Sequence, residues 1–85
     1  MERSMTIPSE RTRALILAEA LLRELSLKND VPESVRSKVV GVLRHFPSKN
    51  DIEFEAEYQM KTRQDVLKQA WLLPVDYYDR IKKGR

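Results

Sequence analysis

The sequence predicts an all-α protein, a small bundle of four or five helices built on an amino-terminal antiparallel helical hairpin. Apolar residues recur every three to four positions over most of the chain, which is the helical period. Capping residues and prolines stand where helices would begin, and the 85 residues include only two glycines. This length fits one domain, residues 1–85, with flexible ends expected at 1–7 and 83–85.

The first helix is expected from about Pro8 to Leu27. Proline is favoured at the first helical position, and no later proline or glycine interrupts this stretch. At about 100° per residue its apolar side chains share one broad arc, with Thr12, Glu19 and Arg23 opposite. The arc contains Ala14, Leu15, Leu17, Ala18, Leu21, Leu22 and Leu25. We therefore predict an amphipathic helix whose leucine arc packs on the rest of the protein.

The second helix is expected to open at Pro32 and Glu33, after a polar connector at 28–30. Its apolar residues share one face: Val35, Val39, Val42, Leu43 and Phe46. A short link between two apolar faces predicts an antiparallel hairpin. The valines would also suit a strand, but the polar residues between them do not alternate as a half-buried strand requires. The helical period is therefore favoured.

A third helix is expected after Pro47, which pushes the residue before it out of the helical region. Ser48 and Asp51 have the spacing of a capping box, and residues 49–60 are rich in good helix formers.

An alternative for this third segment is a half-exposed strand, because apolar and polar residues alternate from Ile52 to Gln59. We favour a helix, since no other segment alternates in a way that would let it pair with such a strand. A helix here carries two apolar stripes. One consists of Ile52, Ala56 and Met60, and the other of Phe54 and Tyr58.

The rest of the chain predicts two further short elements. Thr62 and Asp65 repeat the capping pattern and introduce a fourth apolar segment, which could also continue the third helix. This segment contains Val66, Leu67, Ala70, Trp71 and Leu73, and Pro74 should end it. A short final helix is expected around Val75, Tyr78 and Ile81, with Asp76 as its cap and Gly84 as its terminator.

No group of residues predicts catalysis, a cofactor or a metal site. His45, Ser48 and Asp51 bear the names of a hydrolytic triad, but a helix cap explains the serine and the aspartate completely. The run Asp51, Glu53, Glu55 and Glu57 is typical of a solvated acidic face. The absence of cysteine excludes disulfides and thiolate zinc sites. We therefore expect a protein that is not an enzyme.

Size and composition favour a cytoplasmic protein that binds another protein. A small domain without disulfides or metal commonly gains stability from a second subunit, so we expect a homodimer or another protein partner. The lack of cysteine fits a reducing compartment, and no stretch approaches the ~20 apolar residues of a membrane helix. We expect the partner surface on the third and fourth segments, at the aromatic side chains Phe54, Tyr58 and Trp71.

A second hypothesis is a nucleic-acid-binding accessory protein that uses the basic carboxyl end. The net charge is +3, and the cations concentrate beside two tyrosines, at Arg80, Lys82, Lys83 and Arg85. Cations are also ordinary at the carboxyl end of a helix, and the acidic third segment would be repelled by phosphates. Protein binding is therefore the favoured hypothesis.

The segment from Thr6 to Ile52 resembles a family of short bacterial proteins with no assigned activity. The resemblance lies in a T-x-P-x-E-R-T-R-A segment, matched from Thr6 to Ala14, and an L-R-H-[YF]-P motif, matched from Leu43 to Pro47. It covers just over half of the chain and implies no function. It draws attention to a basic set that we expect to gather at the open end of the hairpin and that could hold a phosphate or carboxylate: Arg11, Arg13, Arg44 and His45.

Overall fold

Helices dominate the computed structural model, which describes residues 7–62 and 70–83. The helices are α1 (Pro8–Leu27), α2 (Glu33–Leu43), α3 (Lys49–Thr62) and α4 (Tyr77–Lys83). Across these two ranges no residue belongs to a strand, which confirms the predicted all-α class. None of these four helices is both long and apolar enough to cross a membrane.

The two amino-terminal helices begin where the sequence predicts. Proline occupies the first turn of α1, and Ile7 before it is extended, with φ −91° and ψ 155°. The Arg36 guanidinium of α2 donates a hydrogen bond at 2.7 Å to the Lys28 carbonyl oxygen, which ties α2 to the end of α1. Helix α1 packs against both α2 and α3. The antiparallel direction of α1 and α2 stays a prediction.

The capping box predicted for α3 is present. The Ser48 amide donates to the Asp51 carboxylate at 3.3 Å, and the Asp51 amide donates to the Ser48 hydroxyl at 3.1 Å. Two amides that the helix itself leaves without partners are thereby bonded at its amino end. The strand alternative for residues 49–60 is therefore wrong.

Helix α3 also has the two stripes that its sequence predicts. Ile52 and Ala56 are buried, whereas Phe54 and Tyr58 are exposed. Gln59 lies one turn beyond Ala56 and is buried with the first stripe.

The face that α1 buries is rotated from the predicted one. Thr12 is 1% exposed and Glu19 is 6% exposed, whereas Leu17 is 59% exposed and Leu21 is 55% exposed. The other residues of the predicted arc divide into exposed Ala14 and four half-buried residues, Leu15, Ala18, Leu22 and Leu25. Ile16, which lies on the buried polar side, is half-buried. Helical periodicity located the apolar arc correctly, but the prediction that the whole arc packs on the rest of the chain was wrong, because only one side of it is covered.

The predicted apolar face of α2 is likewise only partly covered. Val39 is buried, and Leu43 and Phe46 are half-buried, but Val35 and Val42 are exposed. The helix contacts its neighbour through one edge of the valine face and leaves the other edge uncovered.

Residues 70–74 form a non-helical segment buried against α1 and α3. Ala70, Leu72, Leu73 and Pro74 are all buried. The helix predicted over this part of the fourth segment is wrong, while its earlier part, with Asp65 and residues 66–67, lies outside the described residues. Thr62, predicted to cap that helix, is instead the last residue of α3, and its hydroxyl donates to the Tyr58 carbonyl oxygen.

Side chains from both neighbouring helices bond the main chain of this segment. The Gln59 side-chain oxygen accepts hydrogen bonds from the amides of Trp71 and Leu72, at 3.0 and 3.1 Å. The Thr12 hydroxyl donates to the Leu73 carbonyl oxygen at 2.6 Å. A buried non-helical main chain needs such partners, which is the physical reason why α1 turns a polar face inward.

The short final helix is confirmed as α4. The Tyr77 amide donates to the Pro74 carbonyl oxygen at 2.9 Å, so a turn leads directly from the buried segment into the helix. Flexible ends were expected at 1–7 and 83–85; of these residues only 7 and 83 are described, and the terminator role of Gly84 lies outside the described ranges.

Candidate protein-interaction surfaces

Exposed apolar residues of α1 and α2 form the first candidate surface, here called the hairpin face: Ala14, Leu17, Leu21, Val35 and Val42. The three α1 residues follow each other at intervals of three and four, so they lie within about 60° around the helix axis. This spacing is the one that places side chains in the seam between two packed helices. The hairpin face is therefore built like a helix-packing surface, although no other described element covers it.

A second candidate surface is an open groove of about 830 Å³ between α3 and the chain from Pro74 into α4, here called the aromatic groove. Phe54 is 71% exposed and Tyr58 is 54% exposed, and both line this groove. Pro74 and Val75 supply further apolar surface from the opposite wall.

Charged side chains cross one wall of the aromatic groove. The Arg80 guanidinium donates to the Glu57 carboxylate at 2.5 Å and to the Asp76 carboxylate at 2.9 Å. The hydrogen bond from Arg80 holds the pKa of Glu57 below its usual range, against a smaller effect of burial. The same two carboxylates raise the pKa of Arg80, first through the bond to Glu57. This ion pair links α4 to α3.

The structure brings together two of the three aromatic residues proposed for partner binding. Phe54 and Tyr58 share the aromatic groove, and Trp71 lies elsewhere. The Trp71 ring has the Arg11 guanidinium 5.5 Å from its centroid, and the Arg11 Nε donates to the Trp71 carbonyl oxygen at 2.9 Å. Trp71 thus takes part in a contact that fixes the buried segment to α1.

The basic residues singled out near the hairpin's open end lie in different surroundings. Arg11 contacts Trp71, and Arg13 lies 4.0 Å from the Glu10 carboxylate. Arg44 lines a shallow depression that also contains Ser26, which belongs to the last turns of α1 rather than to its start. The gathering of these residues at one end of the hairpin stays a prediction.

The remaining basic candidates are distributed as follows. His45 is exposed just after α2, with its amide donating to the Val42 carbonyl oxygen at 3.1 Å. Lys82 is exposed on α4, and Lys83 is the last residue of that helix. Arg80 is engaged by Glu57 and Asp76, as described above.

Thr12 and Gln59 are the structurally important residues that the sequence reading missed. The signal for Gln59 was present, because it continues the spacing of Ile52 and Ala56 and places an amide in an otherwise apolar stripe. A polar residue in such a position indicates a buried hydrogen bond. Thr12 carried no comparable signal, since most of its neighbours on that face of α1 are polar.

Within residues 7–62 and 70–83, no group of three or more histidine, aspartate or glutamate side chains is placed to hold a metal ion. Comparison of the chain with protein-family models, with curated proteins and with solved structures finds no match.

Proposed function

We propose that the protein is a helical protein-interaction module that self-associates. One observation carries the proposal. Helix α1 exposes more than half of Leu17 and of Leu21, while Thr12 and Glu19 on its opposite side are buried. A helix that exposes one edge of its apolar arc supports an interaction role, because contiguous apolar patches on a protein surface mark interaction sites.

The balance of buried and exposed apolar side chains supports the same proposal. Six hydrophobic residues of the described chain are buried, whereas twelve large ones are exposed. Scattered exposed apolar residues are normal, but those that α1 contributes to the hairpin face follow helix-packing spacing. The buried apolar core among the described residues is small, and association would add to it.

Rough energetics predict a reversible association. Removing a half-exposed leucine or valine from water contributes about 1 kcal/mol, half of the value for complete burial of such a side chain. The four leucine and valine residues of the hairpin face, on each of two copies, together give about 8 kcal/mol, similar in size to the ~4–15 kcal/mol cost of association. We therefore expect a weak dimer whose population rises with protein concentration.

Sedimentation equilibrium or size-exclusion chromatography with light scattering tests the proposal. The expected result is a mass that rises from 10.0 kDa, the mass of one chain, toward twice that value as concentration increases through the micromolar range. A strictly monomeric species at high micromolar concentration contradicts self-association.

The nucleic-acid alternative has less support. Arg80, the first cation of the basic end, is bound by Glu57 and Asp76, so its charge is compensated locally. Binding to DNA and RNA at two salt concentrations distinguishes this alternative, because phosphate contacts weaken steeply as salt rises.

A further inference from the structure

We infer that a second copy of this chain covers the hairpin face, giving a two-fold symmetric bundle of four helices in which α1 of each copy lies over α2 of the other. The inference rests on the proposed self-association and names the surface responsible. It differs from the sequence-based expectation, which assigned the partner surface to Phe54, Tyr58 and Trp71.

The position of the hairpin face follows from the contacts of α1. Thr12 points toward the buried segment, since its hydroxyl bonds the Leu73 carbonyl oxygen. Leu17 and Leu21 lie roughly 140° and 180° around the helix from Thr12, at about 100° per residue. The leucines therefore face away from the buried segment and from the side of the molecule that carries it.

The exposed valines of α2 extend the same surface. Val35 and Val42 lie on one side of the buried Val39, and Arg36, which bonds the end of α1, lies on the other. The five-residue connector 28–32 is too short to let α2 run beside α1 in any direction but the antiparallel one. For neighbouring antiparallel helices, this places the valines and the leucines on one continuous side of the hairpin.

The size of the hairpin face suits a weak, reversible contact. Residues 14–21 of α1 and 35–42 of α2 each cover about 12 Å of a helix about 10 Å wide, by standard helix dimensions. Their joint footprint is then about 240 Å² per copy, and accessible surface exceeds footprint because side chains project from it. An interface of two copies therefore lies in the small class below about 1,200 Å², in which association is weak.

Charges at the edges of the face favour a second copy in one orientation. Glu24, whose carboxylate also lies 3.7 Å from the exposed Lys28 ammonium, borders the face on the outer edge of α1, and Lys38 borders it on the outer edge of α2. When a two-fold axis runs parallel to the helices, α1 lies over α2 of the other copy. Glu24 of each copy then lies on the same side as Lys38 of the other copy, and the apolar centres of the two faces are in contact. Such self-complementarity is what an isologous dimer needs.

The first test compares two surface substitutions in the full chain by sedimentation equilibrium. Leu21→Glu places a charge in the centre of the inferred interface, and we expect it to raise the dimer dissociation constant at least about tenfold. Phe54→Glu is the matched control, because it puts the same charge on an exposed apolar site of the aromatic groove. We expect it to leave the dissociation constant within about twofold.

The outcomes separate this inference from the proposed function. A wild-type chain that stays monomeric overturns both. A wild-type dimer that is weakened by Phe54→Glu but not by Leu21→Glu overturns the inference alone. Circular dichroism of both variants checks that the helices are retained, which is expected because both positions are exposed in a single copy.

A second test uses the absence of cysteine from the natural sequence. Chains carrying Leu17→Cys and chains carrying Val42→Cys are mixed and oxidised under mild conditions. We expect a crosslinked pair of one chain of each kind, because the inferred orientation brings these positions together across the interface. Phe54→Cys replaces Val42→Cys in the control mixture, and equal crosslinking in the two mixtures overturns the inference even if a charged variant fails to fold.

Discussion

The Thr12 hydroxyl donates a 2.6 Å hydrogen bond to the carbonyl oxygen of Leu73, 61 positions away in the chain. The bond joins the first turn-and-a-half of α1 to the non-helical segment 70–74. Thr12 also approaches the Pro8 carbonyl oxygen at 3.1 Å, as threonine hydroxyls commonly do one turn back in a helix. Of these two contacts, the hydrogen bond to Leu73 is the more costly to lose, because the atoms around it are buried.

Thr12→Val should therefore destabilise the protein although it preserves side-chain shape. The substitution removes the hydroxyl donor and leaves a buried carbonyl oxygen without this partner, at a cost of about 1–3 kcal/mol. Urea unfolding measures the change. Thr62→Val is the control, because the Thr62 hydroxyl bonds the Tyr58 carbonyl oxygen at an exposed site where water can replace it. Equal losses in the two variants would show that the Leu73 bond has no special weight.

Gln59→Met should release the segment 70–74 from α3. The variant keeps side-chain length but removes the oxygen that accepts from the Trp71 and Leu72 amides. Each stranded amide costs about 1–3 kcal/mol if it stays buried, so partial release of the segment becomes the cheaper outcome.

The only tryptophan of the chain, Trp71, reports this release. We expect a change of its fluorescence and faster hydrogen exchange at the Trp71 and Leu72 amides, with helical circular dichroism largely kept. Glu55→Gln is the control, since it alters only the carboxylate that accepts from the Gln59 side-chain nitrogen at 3.1 Å. Unchanged exchange at the two amides in Gln59→Met would contradict the role given to this side chain.

Ser48→Ala should lower stability by removing one half of the capping box of α3. The Asp51 amide then loses the serine oxygen that accepts its hydrogen bond. The typical cost of such a change is about 1 kcal/mol, within a range of roughly 0.5–2. Thermal unfolding measures it. Ser37→Ala, at an exposed position within α2, should change stability little or slightly raise it, because alanine favours helix interiors.

The local features of the fold were predictable because their causes lie within a few residues. Three such features depend only on neighbours in the sequence: the proline at the start of α1, the capping box of Ser48 and Asp51, and the helical periodicity of α3. The pairing of Phe54 with Tyr58 in the aromatic groove was predictable for the same reason, since one helical turn separates them.

Features that depend on distant partners were not predictable. The apolar arc of α1 was evident, but its covering element could not be read from the helix itself. Residues 70–73 have helical propensity, yet the bonds from Gln59 and Thr12 hold part of them in a non-helical form, and tertiary contacts override weak local preferences. The sequence analysis predicted that Trp71 shares a surface with Phe54 and Tyr58. Its actual contact is with Arg11, 60 residues away in the chain, and local spacing does not reveal such a contact.

Gly41→Ala should stabilise the protein. Gly41 lies within α2, and an added Cβ atom would meet nothing within 4 Å. Its φ is not positive, so the substitution introduces no backbone strain. Glycine in a helix interior costs about 0.5–1 kcal/mol relative to alanine, and thermal unfolding should show a gain of that size. Ala20→Gly, at an exposed position of α1, is the reverse control and should lose a similar amount. A loss of stability on Gly41→Ala would show that this position requires glycine.

The ion pair between Glu57 and Arg80 should make part of the stability depend on pH. The hydrogen bond from Arg80 lowers the pKa of Glu57 in the folded protein below its ordinary value of 4.5. A carboxyl group with a lowered pKa in the folded state contributes stability above the unfolded-state pKa and loses it as pH falls through the folded-state pKa. The contribution should therefore be complete above about pH 5 and decline below 4.5.

Urea unfolding of the wild type, Glu57→Gln, Arg80→Gln and the double variant over this pH range isolates the pair. Because the groove is open to solvent, screening limits the pair to about 0.2–1 kcal/mol at neutral pH. The difference between wild type and Glu57→Gln should shrink as pH falls below 4.5, the ordinary pKa of the group. In the Arg80→Gln background, Glu57→Gln should have a smaller effect with less pH dependence, since the partner that lowers the pKa is gone. A pH-dependent difference of the same size in both backgrounds would mean that a group other than Arg80 stabilises the Glu57 carboxylate.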